Sequence, residues 1–180
     1  MSFNKNLCLL GAILFLAILA RLVCHLPNFV PTLAIIIVLM RQQSLLTALL
    51  SILFIQIFSD VLLSSSTEFG AFGLWSIFTY SGYVALTVAI VKLGKQWSST
   101  QQLLVTAPCS VAYWLWTNLG TWLMSNMYQH TLSGFMLCYV KALPFLRNAV
   151  IADVLWVAAL VGLYHLVRKL NGNQLRILSA

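Results

Sequence analysis

Acidic residues are nearly missing from this chain, which holds 3 Asp and Glu residues among 180. Charged residues of both signs make up 7% of the sequence, whereas a soluble domain carries about 25%. Hydrophobic residues make up 61%, and the mean hydropathy is +0.94. This composition excludes an ordinary soluble domain and predicts an all-α integral membrane protein.

Motifs of common enzymes are also missing. The sequence contains no Gly-x-Ser-x-Gly pattern with a partner histidine, no His/Glu pair at metalloprotease spacing and no glycine-rich phosphate loop. The basic residues adjoin apolar segments and form no basic stripe, which argues against nucleic acid as a partner. We therefore predict that the protein is not an enzyme, and that any solute movement draws energy from a partner protein or from the gradient of the solute.

The four cysteines predict no metal site. Cys8, Cys24, Cys109 and Cys138 lie singly in or beside apolar runs, without CxxC or zinc-like spacing. They are expected to be small packing residues.

The apolar stretches predict a single transmembrane domain over residues 1–180 with six spans. At about 20 residues per span, the chain has room for little else. The predicted spans are 7–25, 31–40, 44–63, 70–94, 101–124 and 147–170. The second would be only about 15 Å long, so it is expected to be tilted or incomplete. The last is expected to begin at Arg147, after an apolar stretch that Pro144 interrupts.

The basic residues predict the orientation of the spans, because cytoplasmic loops carry an excess of Lys and Arg. With the N-terminus inside, most basic residues near span ends fall on the cytoplasmic side: Lys5, Arg41, Lys92, Lys95, Arg168, Lys169 and Arg176. The turns at 26–28, 64–69 and 125–133 contain none. Both termini are therefore expected in the cytoplasm.

Ionisable residues within apolar segments are costly and are often functional. Asp60 shares a helix face with Gln56, so the two could line a cavity, or Asp60 could form a structural ion pair with Arg21 or Arg147. Arg147 could bind a carboxylate, phosphate or amide-rich ligand through its planar guanidinium, or extend outward as an interfacial anchor. Arg21 is expected to pair internally, Lys141 to reach the interface, and Asp153 to tie two helices together.

Two further faces could contribute to a binding site. Trp114, Asn118 and Trp122 recur at intervals of four residues and form one stripe, which is either a binding wall or ordinary aromatic packing. Tyr80 belongs to a second face with Ser76, Tyr83 and Thr87, whose hydroxyl groups need partners if they are buried. His25 could contact a ligand or a metal, or be a satisfied interfacial residue.

Several segments together resemble a known family. These are 21–31 (RLVCHLPNFVP), 58–60 (FSD), 117–123 (TNLGTWL), 128–139 (YQHTLSGFMLCY) and 142–148 (ALPFLRN), followed by Asp153. They resemble small bacterial membrane proteins of the solitary S-component type, which are related to the substrate-binding subunits of energy-coupling-factor vitamin importers. Some members of that family are taken to be vitamin B12 transporters.

The resemblance implies a six-helix S-component bundle in the bacterial inner membrane that opens to the periplasmic side. It places His25, Asn28, Asp60, Asn118 and Arg147 near the ligand, and Tyr139 joins the candidates with Tyr80 and Trp122. The first span lacks the Ala-x-x-x-Ala pattern of subunits that dock on a shared coupling protein, so an energy-coupling module is an open question. If a corrinoid is bound, His25 is the candidate to contact cobalt.

The sequence thus predicts a membrane transporter or capture protein for a vitamin-like solute, foremost cobalamin or a related corrinoid. No resident cofactor is expected, and the partners are the vitamin and the bilayer. The alternative is a structural or assembly protein whose polar residues only hold helices together.

The first testable prediction concerns topology. A cysteine introduced at Thr67 is expected to react with a membrane-impermeant thiol reagent from the outer side, because the loop at 64–69 contains no basic residue. A cysteine at Gln96, beside Lys95, serves as the cytoplasmic control. Labelling of the Thr67 position only after the membrane is opened would contradict this orientation.

Overall fold

The computed structural model describes residues 15–22, 28–64 and 72–177, and this part of the chain forms six helices and no strand. Residues 15–22 are helical and are named α1. The other helices are α2 (Thr32–Val38), α3 (Leu45–Ser64), α4 (Ser76–Leu93), α5 (Ser99–Met124) and α6 (Leu132–Ile177). Short 3-10 turns follow α2 at Met40–Gln42 and α4 at Gly94–Gln96. The all-α prediction is confirmed.

Polar residues fix the beginnings of two long helices. Before α3, the Ser44 hydroxyl accepts a hydrogen bond from the backbone N–H of Thr47 at 3.1 Å. Before α5, Ser98 and Gln101 form a reciprocal capping box, in which each side chain accepts from the other's backbone N–H. These bonds satisfy N–H groups that have no partner inside the helix.

Within the described residues, three helices are long and apolar enough to cross a bilayer: Leu45–Ser64, Ser76–Gln96 and Leu132–Leu166. Many of their large apolar side chains are exposed, among them Leu46 (67%), Ile77 (60%) and Val140 (59%). Such faces are unfavourable in water and favourable against lipid chains. The helices therefore support a membrane protein.

Helix α2 lies inside the bundle. Each of its 7 residues is buried, which no other described helix achieves. At 1.5 Å per residue its length is about 10 Å, well short of the ~30 Å hydrocarbon core. The expectation of a short, incomplete second span agrees with this helix, whose Ala34, Ile36 and Ile37 are completely buried at the centre of the core.

The end of α2 is tied to the end of α4. The Arg41 guanidinium donates hydrogen bonds to the backbone carbonyls of Gly94 (3.1 Å) and Lys95 (3.0 Å). Carbonyls at a helix C-terminus lack intrahelical donors, and a cation is favourable beside them. This basic residue, expected at a cytoplasmic span end, also closes one end of the bundle.

The structure corrects one predicted boundary. The last helix begins at Leu132 instead of Arg147 and continues without interruption through Pro144 for 46 residues. A proline inside a helix removes one backbone hydrogen bond and bends the helix, but flanking turns can continue it. The segment that was expected to precede the last span therefore forms the beginning of the same helix.

Helices α5 and α6 pack against each other with a change of register near Pro144. The indole N–H of Trp114 donates to the carbonyl of Ala142 at 3.1 Å, and the Ser110 hydroxyl donates to Asp153 at 2.6 Å. From the first contact to the second, α6 advances much further along its axis than α5 does. The residues of the two helices that face each other are therefore offset over this stretch, which contains the proline.

Beyond Asp153 the two helices return to a common register. Ser99 and the imidazole of His165 are joined by a hydrogen bond of 2.8 Å. From Ser110 to Ser99 and from Asp153 to His165, the two helices advance by nearly equal lengths. The change of register thus lies between Ala142 and Asp153.

The second prediction concerns the contact between α4 and α5. A Cβ atom added at Gly120 would overlap the ring and Cβ of Phe78, whereas one added at Gly162 would meet nothing within 4 Å. Overpacking of this kind costs about 1–3 kcal/mol. Gly120→Ala is expected to lower the thermal unfolding temperature in detergent, and Gly162→Ala to leave it unchanged or raise it. Equal stability of the two variants would contradict the packing described.

Candidate functional site

A cavity of about 460 Å³ lies in the half of the bundle where α3 ends and α4 begins. Its lining combines apolar, aromatic, amide and charged side chains from α1, from the segment leading into α2, and from the long helices. The lining residues are Arg21, Asn28, Val30, Leu33, Gln56, Asp60, Leu63, Trp75, Thr79, Tyr83, Ser110, Tyr113, Trp114, Thr117, Asn118, Phe145, Ala149 and Asp153. This mixture is typical of small-molecule sites.

Asp60 is held by two donors from other helices. The guanidinium of Arg21 contacts one carboxylate oxygen at 2.6 Å, and the hydroxyl of Tyr80 donates to the other at 2.8 Å. Both charged side chains are largely buried, with 13% and 15% of their surface exposed. The predicted internal pairing of Arg21 is confirmed, and its partner is Asp60.

Gln56 brings an unpaired acceptor to the cavity wall. Its amide nitrogen donates to the hydroxyl of Thr32 on α2 at 3.1 Å. Its amide oxygen has no hydrogen-bond partner, and the residue is completely buried. A buried acceptor without a donor costs free energy, which a ligand in the cavity would recover if the Gln56 side chain turned toward it. The predicted pairing of Gln56 with Asp60 on one cavity wall agrees with the lining.

Asp153 is the second carboxyl group of the cavity. It is 7% exposed and accepts the hydrogen bond from Ser110, so it joins α5 to α6 as the sequence suggested. In the described part of the chain, the ion pair of Arg21 and Asp60 is the only one, so Asp153 faces the cavity without a paired cation. Phe145 and Ala149 precede it at intervals of four residues. That spacing is the sequence signal that could have identified this wall.

Aromatic rings form much of the remaining wall. Tyr83 of α4 and Tyr113 of α5 pack with ring centroids 4.3 Å apart and an interplanar angle of 33°. Trp114 is 9% exposed, while Trp75 and Phe145 are 38% and 45% exposed. Tyr83 and Trp114 are therefore buried in the wall, Tyr113 is partly buried, and Trp75 and Phe145 lie at the exposed rim.

Two asparagines predicted as site residues also line the cavity. Asn118 is half-buried, and its amide nitrogen donates to the carbonyl of Trp114 at 2.8 Å. Asn28 is exposed and has a backbone φ of 61°. Asparagine adopts this left-handed conformation more readily than most residues. It allows the chain to turn sharply just before α2.

The structure places four other predicted residues outside the lining. The indole N–H of Trp122 donates to the carbonyl of Gln129 at 3.0 Å. Of the predicted stripe, only Trp114 and Asn118 line the cavity. Tyr139 donates to the carbonyl of Leu115 at 2.8 Å.

Arg147 is exposed, because the phase of α6 turns the face with Asp153 inward. Tyr80 acts behind the wall through Asp60.

Metal ligation was suggested only for His25, which lies outside the described residues. Within residues 15–22, 28–64 and 72–177, no group of three His, Cys, Asp or Glu side chains could hold a metal ion. Cys138 is buried between α5 and α6, with its sulfur 3.6 Å from the carbonyl of Asn118. This contact matches the packing role expected for the cysteines.

Comparison with known proteins assigns the chain to a family. Residues 1–175 match the model of a family of unknown function, DUF6580, and the chain belongs to that family. The comparisons with curated proteins and with solved structures give no match. The function is therefore argued from the cavity.

The third prediction concerns the ion pair at the cavity wall. Asp60→Asn leaves the largely buried guanidinium of Arg21 without its counter-charge, which is expected to cost about 3 kcal/mol of folding free energy. Arg147→Gln changes one charge at an exposed position and is expected to stay within about 0.5 kcal/mol of the wild type. Unfolding in detergent, followed by circular dichroism, compares the two. If both variants are equally stable, the pair does not stabilise the bundle.

Proposed function

We propose that this protein captures a vitamin-like solute at the outer side of the bacterial inner membrane and passes it across. The observation that supports this best is the cavity, which joins deep aromatic rings to an unpaired amide oxygen and two carboxyl groups. Its volume of about 460 Å³ lies within the range of about 300–1,000 Å³ typical of sites for small organic molecules. Packing alone does not require such a space, because protein interiors are otherwise close-packed.

The proposed topology has six membrane segments, with α2 contributing a short internal one, and both termini in the cytoplasm. The cavity lies toward the loops that contain no basic residue, which the positive-inside rule assigns to the outer side. Asn28 and Trp75, at the rim, belong to that same end. A solute would therefore enter from the periplasmic side.

Cobalamin or a related corrinoid is the first solute to test, on the strength of the S-component resemblance. A corrinoid is larger than the cavity, so it would enter with one edge and rest with its remaining surface against the rim. Its amide side chains offer donors and acceptors for Gln56 and Asn118. The energy source is either a partner coupling module or the gradient of the solute, since the chain has no phosphate-binding motif of its own.

A structural or assembly role is the competing function, and two contacts favour it. The bonds of Arg21 with Asp60 and of Ser110 with Asp153 each join two helices. They would serve a scaffold protein equally well. The distinction lies in whether the cavity binds anything.

The fourth prediction separates the two functions. Purified protein is expected to bind at least one member of a panel of vitamins that includes cobalamin, measured by equilibrium dialysis. Ala149→Phe places a ring in the cavity and is expected to weaken binding about tenfold or more, because it occupies the ligand's volume. Ala158→Phe adds the same ring at an exposed position on the same helix and is expected to bind normally.

A transport assay completes this test. In cells that lack their own corrinoid importer, wild-type protein and Ala158→Phe are expected to restore growth on low external cobalamin, and Ala149→Phe is not. Folded wild-type protein that binds no vitamin in the panel would favour the structural role. Binding of another vitamin would keep the capture function and remove cobalamin as the solute.

A further inference from the structure

The formal charges of the cavity wall do not balance. Among the described lining residues, Arg21 is the only basic side chain, and its charge is met by Asp60 at 2.6 Å. Asp153 remains as a second carboxyl group whose hydrogen-bond donor is the neutral hydroxyl of Ser110. A carboxyl group that is largely removed from water either stays protonated or needs a nearby cation to be stable as the anion. A cationic ligand would supply the positive charge that the protein itself does not place beside Asp153.

Aromatic rings line the same cavity as this carboxyl group. Trp114 lies one helical turn from Ser110 on α5, and Tyr113 adjoins it, with the Tyr83 ring packed against Tyr113. The faces of tryptophan and tyrosine attract organic cations, and they do so more strongly where water is excluded. A carboxylate next to deep aromatic rings is a suitable environment for a cation on a planar ring or a substituted amine.

Two unpaired polar atoms add a hydrogen-bonding requirement. The amide oxygen of Gln56 needs a donor, and the Nε–H of Arg21 is buried without an acceptor. A ligand that carries both a donor and an acceptor, as a carboxamide does, could satisfy the two groups. An anion would instead meet two carboxyl groups, and the guanidinium of Arg21 is already paired with one of them.

We propose that the cavity selects an organic cation, with its positive charge against Asp153, its ring on Trp114 and Tyr113, and an amide-like group toward Gln56. This inference rests on the proposed function and narrows it to one class of solute. A corrinoid presents positive charge only at its cobalt centre, so other vitamin-like solutes with a charged nitrogen become the preferred class.

The test uses a matched pair of probes that differ by one charge. The 1-benzyl-3-carbamoylpyridinium ion has two rings, a carboxamide and a fixed positive charge, and its 1,4-dihydro form has the same skeleton without the charge. Titration calorimetry with full-length protein in detergent is expected to give an affinity for the cation about tenfold or more above that for the neutral form. Empty detergent micelles provide the baseline for each probe.

Variants assign the preference to Asp153. Asp153→Asn keeps an acceptor for Ser110, removes the charge and is expected to abolish the preference for the cation. Gln96→Lys changes the net charge by the same amount at an exposed position near the opposite end of the bundle, and is expected to retain it. Should Asp153→Asn fail to fold, the comparison of the two probes on wild-type protein still decides the matter.

Several outcomes would overturn the proposal: equal affinity for the two probes, a preference that persists in Asp153→Asn, or no binding of either probe to wild-type protein. The broader function is judged separately. A neutral or anionic vitamin that binds to wild-type protein and is lost in Ala149→Phe would preserve the capture function while removing the cationic class. Failure of both the vitamins and the charged probe would remove both.

Discussion

In an apolar helix bundle, a side-chain donor can find a partner on its own helix, whereas a side-chain acceptor usually cannot. Much of this structure follows from that difference. A helix has carbonyl oxygens with a spare lone pair along its whole length but no spare N–H groups beyond its first turn. Hydroxyl groups can therefore bond to their own helix, as Ser59, Thr87 and Thr106 do to carbonyls four residues earlier. A carboxylate inside the bundle must obtain its donor from another helix.

Both carboxyl groups of the cavity lining satisfy that requirement at helix junctions. Asp60 receives donors from α1 and α4, and Asp153 receives one from α5. These bonds orient the helices around the space that the carboxyl groups face. The buried α2 fills the rest of the core with aliphatic side chains, and its Thr32 holds Gln56 in place. Helix junctions and cavity are thus built from the same few polar residues.

Composition and periodicity were sufficient for the helical class, for the shortness of α2 and for the internal pairing of Arg21. They also separated Arg147 from Asp153, because six residues correspond to about 240° around a helix. Which of the two faces inward depends on the phase of α6, and that phase is set by its packing against α5. Pro144 suggested a break, whereas α6 continues through it. Trp122 lies outside the lining, where its indole N–H donates to the carbonyl of Gln129. The four-residue spacing predicts a shared helix face but not this contact at the helix end.

The proline in α6 also has a mechanical consequence. Because its ring nitrogen carries no hydrogen, the helix already lacks one backbone bond there, and a change in bending angle need not break another. The segment before this joint is fastened to α5 through Ala142 and Trp114, and the segment after it through Asp153 and Ser110. A molecule that contacted both Trp114 and Asp153 would hold the two segments of α6 at a fixed angle. Ligand occupancy of the cavity and the bending stiffness of α6 would then rise and fall together.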